Sequence, residues 1–152
     1  MNRTKGFSLM ELLLVISLLG IAFGLVFWGF HGFFRTSVLD RASQEALSLV
    51  TEARERTLSR QDDVAWGVHL EAAQLVLFAG DAYSEGAADN KAYVLPQGVS
   101  ITTITLGGGG TDIVFAKITG ESSTPGFFEL EQQGSLNVKT ISINETGNVE
   151  VE

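Results

Sequence analysis

Glu11 is the only formally charged residue between Lys5 and Arg35, and its isolation makes it the first candidate for chemistry. Residues 12–34, LLLVISLLGIAFGLVFWGFHGFF, contain no Asp, Glu, Lys or Arg over 23 positions. A carboxylate at the edge of such a stretch costs up to about 2.5–3.5 kcal/mol on insertion scales if it reaches the bilayer centre. It therefore calls for a cationic partner, unless it stays hydrated at the interface. Ion pairing in a low-dielectric contact is the chemistry that this placement supports.

The rest of the chain offers little reactive material. His31 lies in the apolar stretch and His69 in a β-prone run; neither has a second ligand at a metal spacing such as H-E-x-x-H, and no G-x-S-x-G elbow occurs. Both histidines read as surface or packing residues. There is no cysteine, so no thiolate nucleophile, thiolate ligand or disulfide is available. Gly107–Gly110 lacks the following lysine and serine or threonine of a phosphate-binding loop and reads as a flexible connection. Asp81, Glu85, Asp89 and Asn90 carry oxygens of the kind calcium takes, but their spacing fits no calcium loop, and a solvated acidic loop is expected. The expectation is a protein with no catalytic residue, no metal and no cofactor.

The elements around Glu11 follow from pattern. About 20 apolar residues suffice to cross a bilayer as a helix, so residues 12–34 read as a membrane segment. Arg3 and Lys5 precede it with no acidic neighbour, which places that end in the cytoplasm and the rest of the chain outside. Trp28, Phe30, Phe33 and Phe34 cluster at the far end, suited to a membrane interface or to packing after assembly. Gly20, Gly24, Gly29 and Gly32 are candidate bend points, since no proline occurs before Pro96.

From Leu39 the apolar positions Leu39, Ala42, Ala46, Leu49 and Ala53 recur at spacings of three and four, with Asp40, Arg41, Gln44, Glu45, Glu52, Arg54 and Glu55 facing elsewhere. This predicts an amphipathic continuation of the same helix, from Phe7 to Arg60, supported by an i,i+4 pair between Glu52 and Arg56. Beyond Asp62 and Asp63 short β-prone runs follow at 64–70, 74–78, 92–95, 99–106, 112–118, 127–131, 138–143 and 148–151, the last two joined by a turn at Asn144–Gly147. The expected fold class is α+β: a long N-terminal helix, membrane-spanning in its first half, packed on a C-terminal antiparallel β-sheet head. The expected divisions are a leader at 1–6, an apolar helix at 7–34, its amphipathic continuation at 35–60 and a head at 61–152. Residues 61–152 carry 13 acidic residues against three lysines, a net of −10, which leaves little material for the basic patch that nucleic-acid binding needs.

Taken together, the short basic leader, Gly6, Phe7, Ser8-Leu9, Glu11 four positions after Phe7 and the apolar helix resemble the class III signal of type IV pilins and type II secretion pseudopilins. The resemblance implies cleavage between Gly6 and Phe7 on the cytoplasmic side by a dedicated prepilin peptidase/methyltransferase, which methylates the new N-terminus at Phe7. It also implies that Glu11 of one subunit neutralises that amine on its neighbour. An ordinary secretory signal is instead cut after its apolar region, which is then lost. Ala53-Arg54, Trp66-Gly67-Val68, Val114-Phe115 with Gly120, and the terminal strand-turn-strand with Gly147 are similar to the H group of minor pseudopilins. The implied partners are other pilin or pseudopilin subunits and an inner-membrane assembly platform. The implied role is a filament subunit, as a minor secretion pseudopilin or else a minor or major pilin; the alternative from another class is an uncleaved, signal-anchored binding protein.

Overall fold

The spacing of three and four that runs from Leu39 to Ala53 is realised as the buried stripe of a helix. The structure, a computed structural model, describes residues 8–59 and 64–152, and side chains throughout those ranges except at 27–37. Helix α1 spans Leu9–Leu58, and the chain divides into two compact units, Met1–Arg35 and Thr36–Glu152.

In the first unit, the window Leu9–Val26 has a mean hydropathy of 2.5 and no buried residue. Its apolar side chains point in every direction around the helix and have no protein partner. By length and composition it can cross a membrane, where lipid would cover that surface. All four glycines of the apolar stretch fall inside continuous helix. Ser17, a polar residue among leucines, donates its hydroxyl to Leu14 O at 2.9 Å and so carries no unsatisfied group into an apolar medium.

In the second unit, Leu39, Ala42, Ala46, Leu49 and Ala53 are all buried, and Ser43, Val50 and Thr57 widen the stripe. The alanines keep the helix surface low, which lets strands approach its backbone. Eight strands follow: β1 (Trp66–Glu71), β2 (Gln74–Ala79), β3 (Lys91–Val94), β4 (Val99–Leu106), β5 (Asp112–Val114), β6 (Gly126–Gln132), β7 (Val138–Ile143) and β8 (Val149–Val151). They form two four-stranded sheets, in the orders β3-β2-β1-β5 and β4-β6-β7-β8, and every pairing is antiparallel. The chain first passes from one sheet to the other between β3 and β4, then returns for β5 and crosses again to β6. Backbone bonds from Leu95 N to Ala73 O and from Ile101 N to Ala72 O, both 2.9 Å, tie the first passage to the β1–β2 turn. One core joins the helix stripe to Leu70, Leu77, Ile113, Phe115, Phe128, Leu130 and Ile141.

One expected strand is too long. The run 112–118 pairs only as far as Val114, followed by a single bridge between Phe115 and Ser122. Ala116 N donates to Glu121 O at 2.8 Å and Gly120 N to Ala116 O at 2.9 Å, closing a turn that holds Ile118 at φ +78°. A β-branched residue disfavours that conformation, so the turn prevails over Ile118's own strand preference. The terminal hairpin forms where expected. Asn144 Oδ1 accepts from Asn148 N at 2.9 Å and from Thr146 Oγ1 at 2.7 Å, and Gly147 takes φ +77°.

Thr57 fastens the helix end to the first strand. It is buried; its hydroxyl donates to Ala53 O at 2.9 Å and accepts from Trp66 N at 2.9 Å. Thr57→Val keeps the shape but orphans a buried N–H, and should cost about 1–3 kcal/mol. Thr57→Ser should retain most of the stability. Chemical denaturation of the full chain in detergent would measure both, and equal losses would contradict the hydrogen-bond account.

Candidate assembly site at the helix start

Glu11 lies in the first turn of α1, and the residue that organises this turn is Ser8. The Ser8 hydroxyl accepts from Met10 N at 3.3 Å, and its carbonyl accepts from Glu11 N at 3.0 Å and Leu12 N at 3.1 Å. Ser8 is therefore the N-cap, and Glu11 occupies the third helical position. Ser8-Leu9-Met10-Glu11 has the S-x-x-E spacing of a capping box, a local signal that a reading centred on the apolar stretch passes over. An acidic side chain here also complements the positive end of the helix dipole. Gly6 and Phe7, the expected cleavage and methylation positions, lie outside the described residues, as do Arg3 and Lys5. The side chains of Trp28, Phe30, His31, Phe33 and Phe34 do too.

In the head, Arg54 is not the solvent-facing charge that its place on the helix suggests. It is half-buried, with Nε donating to Gly120 O at 3.0 Å and Nη2 to Thr146 O at 3.2 Å. One guanidinium thus ties the helix to two loops. A side chain on Gly147 would overlap Gly120 O and come within 2.8 Å of Arg54 Nε. Arg54, Gly120 and Gly147, separate in sequence, meet at this point. The expected pair of Glu52 and Arg56 forms at 2.6 Å, and the Arg56 guanidinium also lies 4.6 Å from the centre of the Trp66 ring.

His69 has more partners than a packing residue needs. Its Nδ1 is 2.5 Å from Asp112 Oδ1, its Nε2 is 3.6 Å from Glu71 Oε1, and its ring stacks on Tyr83 at 3.9 Å. Asp112 Oδ2 accepts from Tyr83 N at 3.3 Å, so the cluster pins the loop between β2 and β3 to the first sheet. Thr111 Oγ1 approaches the same Nδ1, at 3.5 Å. Hydroxyl and carboxylate therefore share one nitrogen, whereas a nucleophilic relay places them on opposite ones. The arrangement is a latch. The Tyr83 phenol is pushed above its ordinary value by desolvation first, then by Glu71, Glu85 and Asp112. The stability linked to the neutral phenol is complete below the ordinary value near 10 and is lost as pH rises through the raised one. Among the described residues no three or more His, Asp or Glu side chains converge on a metal-sized site.

Residues 1–27 match the family described as the prokaryotic N-terminal methylation motif. The chain carries a prepilin-type signal of the kind found in type IV pilins and pseudopilins, followed by an apolar helix and an antiparallel β head. That signal supports a type IV pilin-like or pseudopilin protein, and it covers the first 27 residues of the chain. No curated protein and no solved structure matches the chain.

Proposed function

We propose that the protein is a structural subunit of a type IV pilus-like filament, and more narrowly a minor pseudopilin of a type II secretion system. The observation that carries the reading is the methylation motif at residues 1–27 merging into an apolar helix with no buried face. A helix of this kind has two solvents available to it, lipid before assembly and the apolar helices of other subunits afterwards. In this reading the leader is residues 1–6, the assembly helix 7–34, its amphipathic continuation 35–60 and the head 61–152. The subunit sits in the inner membrane with its head outside. Its partners are the prepilin peptidase, other subunits and an assembly platform. The meeting of Arg54, Gly120 and Gly147 supports the H-type assignment, because three of the residues that resemble that group lie together.

Cleavage between Gly6 and Phe7 would free an amine one residue before the Ser8 cap. A positive charge there opposes the helix dipole, which gives the amine a physical need for a carboxylate. Glu11 is the acidic residue of this segment, and in the assembled bundle the carboxylate of one subunit serves the amine of the next.

The test is the intact mass of the protein from host membranes, with and without active prepilin peptidase. Loss of Met1–Gly6 plus gain of one methyl group, only with active peptidase, is expected. Gly6→Leu should abolish the shortening. An unchanged full-length mass would instead identify a signal-anchored protein, whose head binds a partner while the helix only tethers it.

A further inference from the structure

Leu136 is completely exposed, at 101 %, the highest value among the large apolar side chains described, and Val138 beside it is 44 % exposed. The loop between β6 and β7 that presents them is hydrogen-bonded: Ser135 N donates to Gln132 O at 3.0 Å and Asn137 N to Ser135 Oγ at 3.1 Å, with Gly134 at φ +75°. A single exposed leucine is ordinary on a protein surface. Its location is what distinguishes this one. Leu136 and Val138 border an open cleft of about 570 Å³ whose other walls are Leu39, Asp40, Asn137 and Lys139. Leu39 follows Phe34, the last residue of the charge-free stretch, by five residues, which reach at most about 18 Å even fully extended. The chain itself therefore tethers this surface near the apolar segment, at high effective concentration.

Charge points the same way. The head is strongly acidic, and an acidic surface is repelled by anionic lipid. At this cleft Asp40 and Lys139 pair at 3.7 Å and neutralise each other, which leaves apolar contact available without a net charge. We propose that the Leu136 loop seats in the interfacial layer of the bilayer that holds the apolar helix, fixing the head against the membrane before assembly. This rests on the reading of the apolar segment as a membrane helix.

The chain has no cysteine, so single substitutions give unique labelling sites. Full-length protein carrying an environment-sensitive fluorophore at Leu136→Cys would be reconstituted in phosphatidylcholine vesicles containing nitroxide lipids. The label at 136 should shift to shorter emission wavelength and be quenched by a nitroxide near the headgroup. The same label at Ile118→Cys should stay water-like and unquenched. Ile118 is also exposed and apolar, but its turn packs at Gly120 against Leu58, at the opposite end of the head's helix. A label at Leu19→Cys, quenched by nitroxides deep in the acyl chains, reports the membrane helix separately. A water-like label at 136 beside a quenched label at 19 would overturn the proposal. So would a label at 136 that turns apolar only at self-associating concentrations, which would assign the loop to a second copy of the chain. An unquenched label at 19 would overturn the membrane reading, and this inference with it.

Discussion

Glu11→Ala should leave leader removal intact and lower incorporation into filaments on the order of 100-fold or more. The magnitude follows from what the substitution leaves behind. Removing one partner of a buried ion pair costs about 3–5 kcal/mol, because the other charge remains desolvated and alone. The local role that the S-x-x-E spacing offers Glu11, a reciprocal bond to the Ser8 backbone, is smaller, since a lost cap costs about 0.5–2 kcal/mol. Glu11→Gln separates the two, because glutamine completes the box without a charge. If the charge matters, Gln should assemble as poorly as Ala; if the cap matters, Gln should restore assembly. Incorporation would be read from sheared filaments by immunoblot and processing from intact mass. Full incorporation of the alanine variant would remove Glu11 from the proposed role.

Gly147→Ala should destabilise the head by about 2–5 kcal/mol, combining a left-handed backbone penalty of about 1–2 kcal/mol with overpacking of about 1–3 kcal/mol. The first term arises from φ +77°, the second from the approach of Gly120 O and Arg54 Nε. Gly86 supplies the control, since it has φ +79° but no atom within 4 Å of where a side chain would begin. Gly86→Ala should therefore show only the backbone penalty. The thermal midpoint of the full chain in detergent, followed by circular dichroism, measures both. Equal shifts for the two variants would mean that the crowding at Arg54 contributes nothing.

The apolar pattern made local elements legible where turn residues bounded them. Leu39 to Ala53 reads directly as a buried helix face, and the spans of β4 and β7 are marked by flanking Pro, Gly and Asn. Partnership over long sequence distances is where the reading stops. Arg54 looks like a solvated charge because its acceptors lie 66 and 92 residues further along. His69 meets Asp112 only because β1 pairs with β5 in a register that no local pattern encodes. The division of the strands between two sheets is hidden for the same reason. Thr57 reads as neutral, although the accessible hydroxyl it would present in an isolated helix is spent on Trp66. At the helix start the S-x-x-E spacing is local and contiguous, but the isolated charge of Glu11 is the more conspicuous signal and points to a distant partner. The prepilin signal was the most legible feature of all, because its parts are contiguous.

The bonds made by Arg54 also set an order of events during synthesis. The helix leaves the ribosome well before the residues that cover it, and the carbonyls of Gly120 and Thr146 arrive only after most of the head has been made. Until then the stripe of Leu39, Ala46, Leu49 and Val50 lacks the part of its cover that the later strands supply, and a chain whose closing contacts are this far apart in sequence folds late and slowly. In that interval the exposed stripe is a target for chaperones and for premature pairing with other chains. Locking the β7–β8 turn onto the helix is among the last contacts that the order of synthesis permits, so it closes that interval.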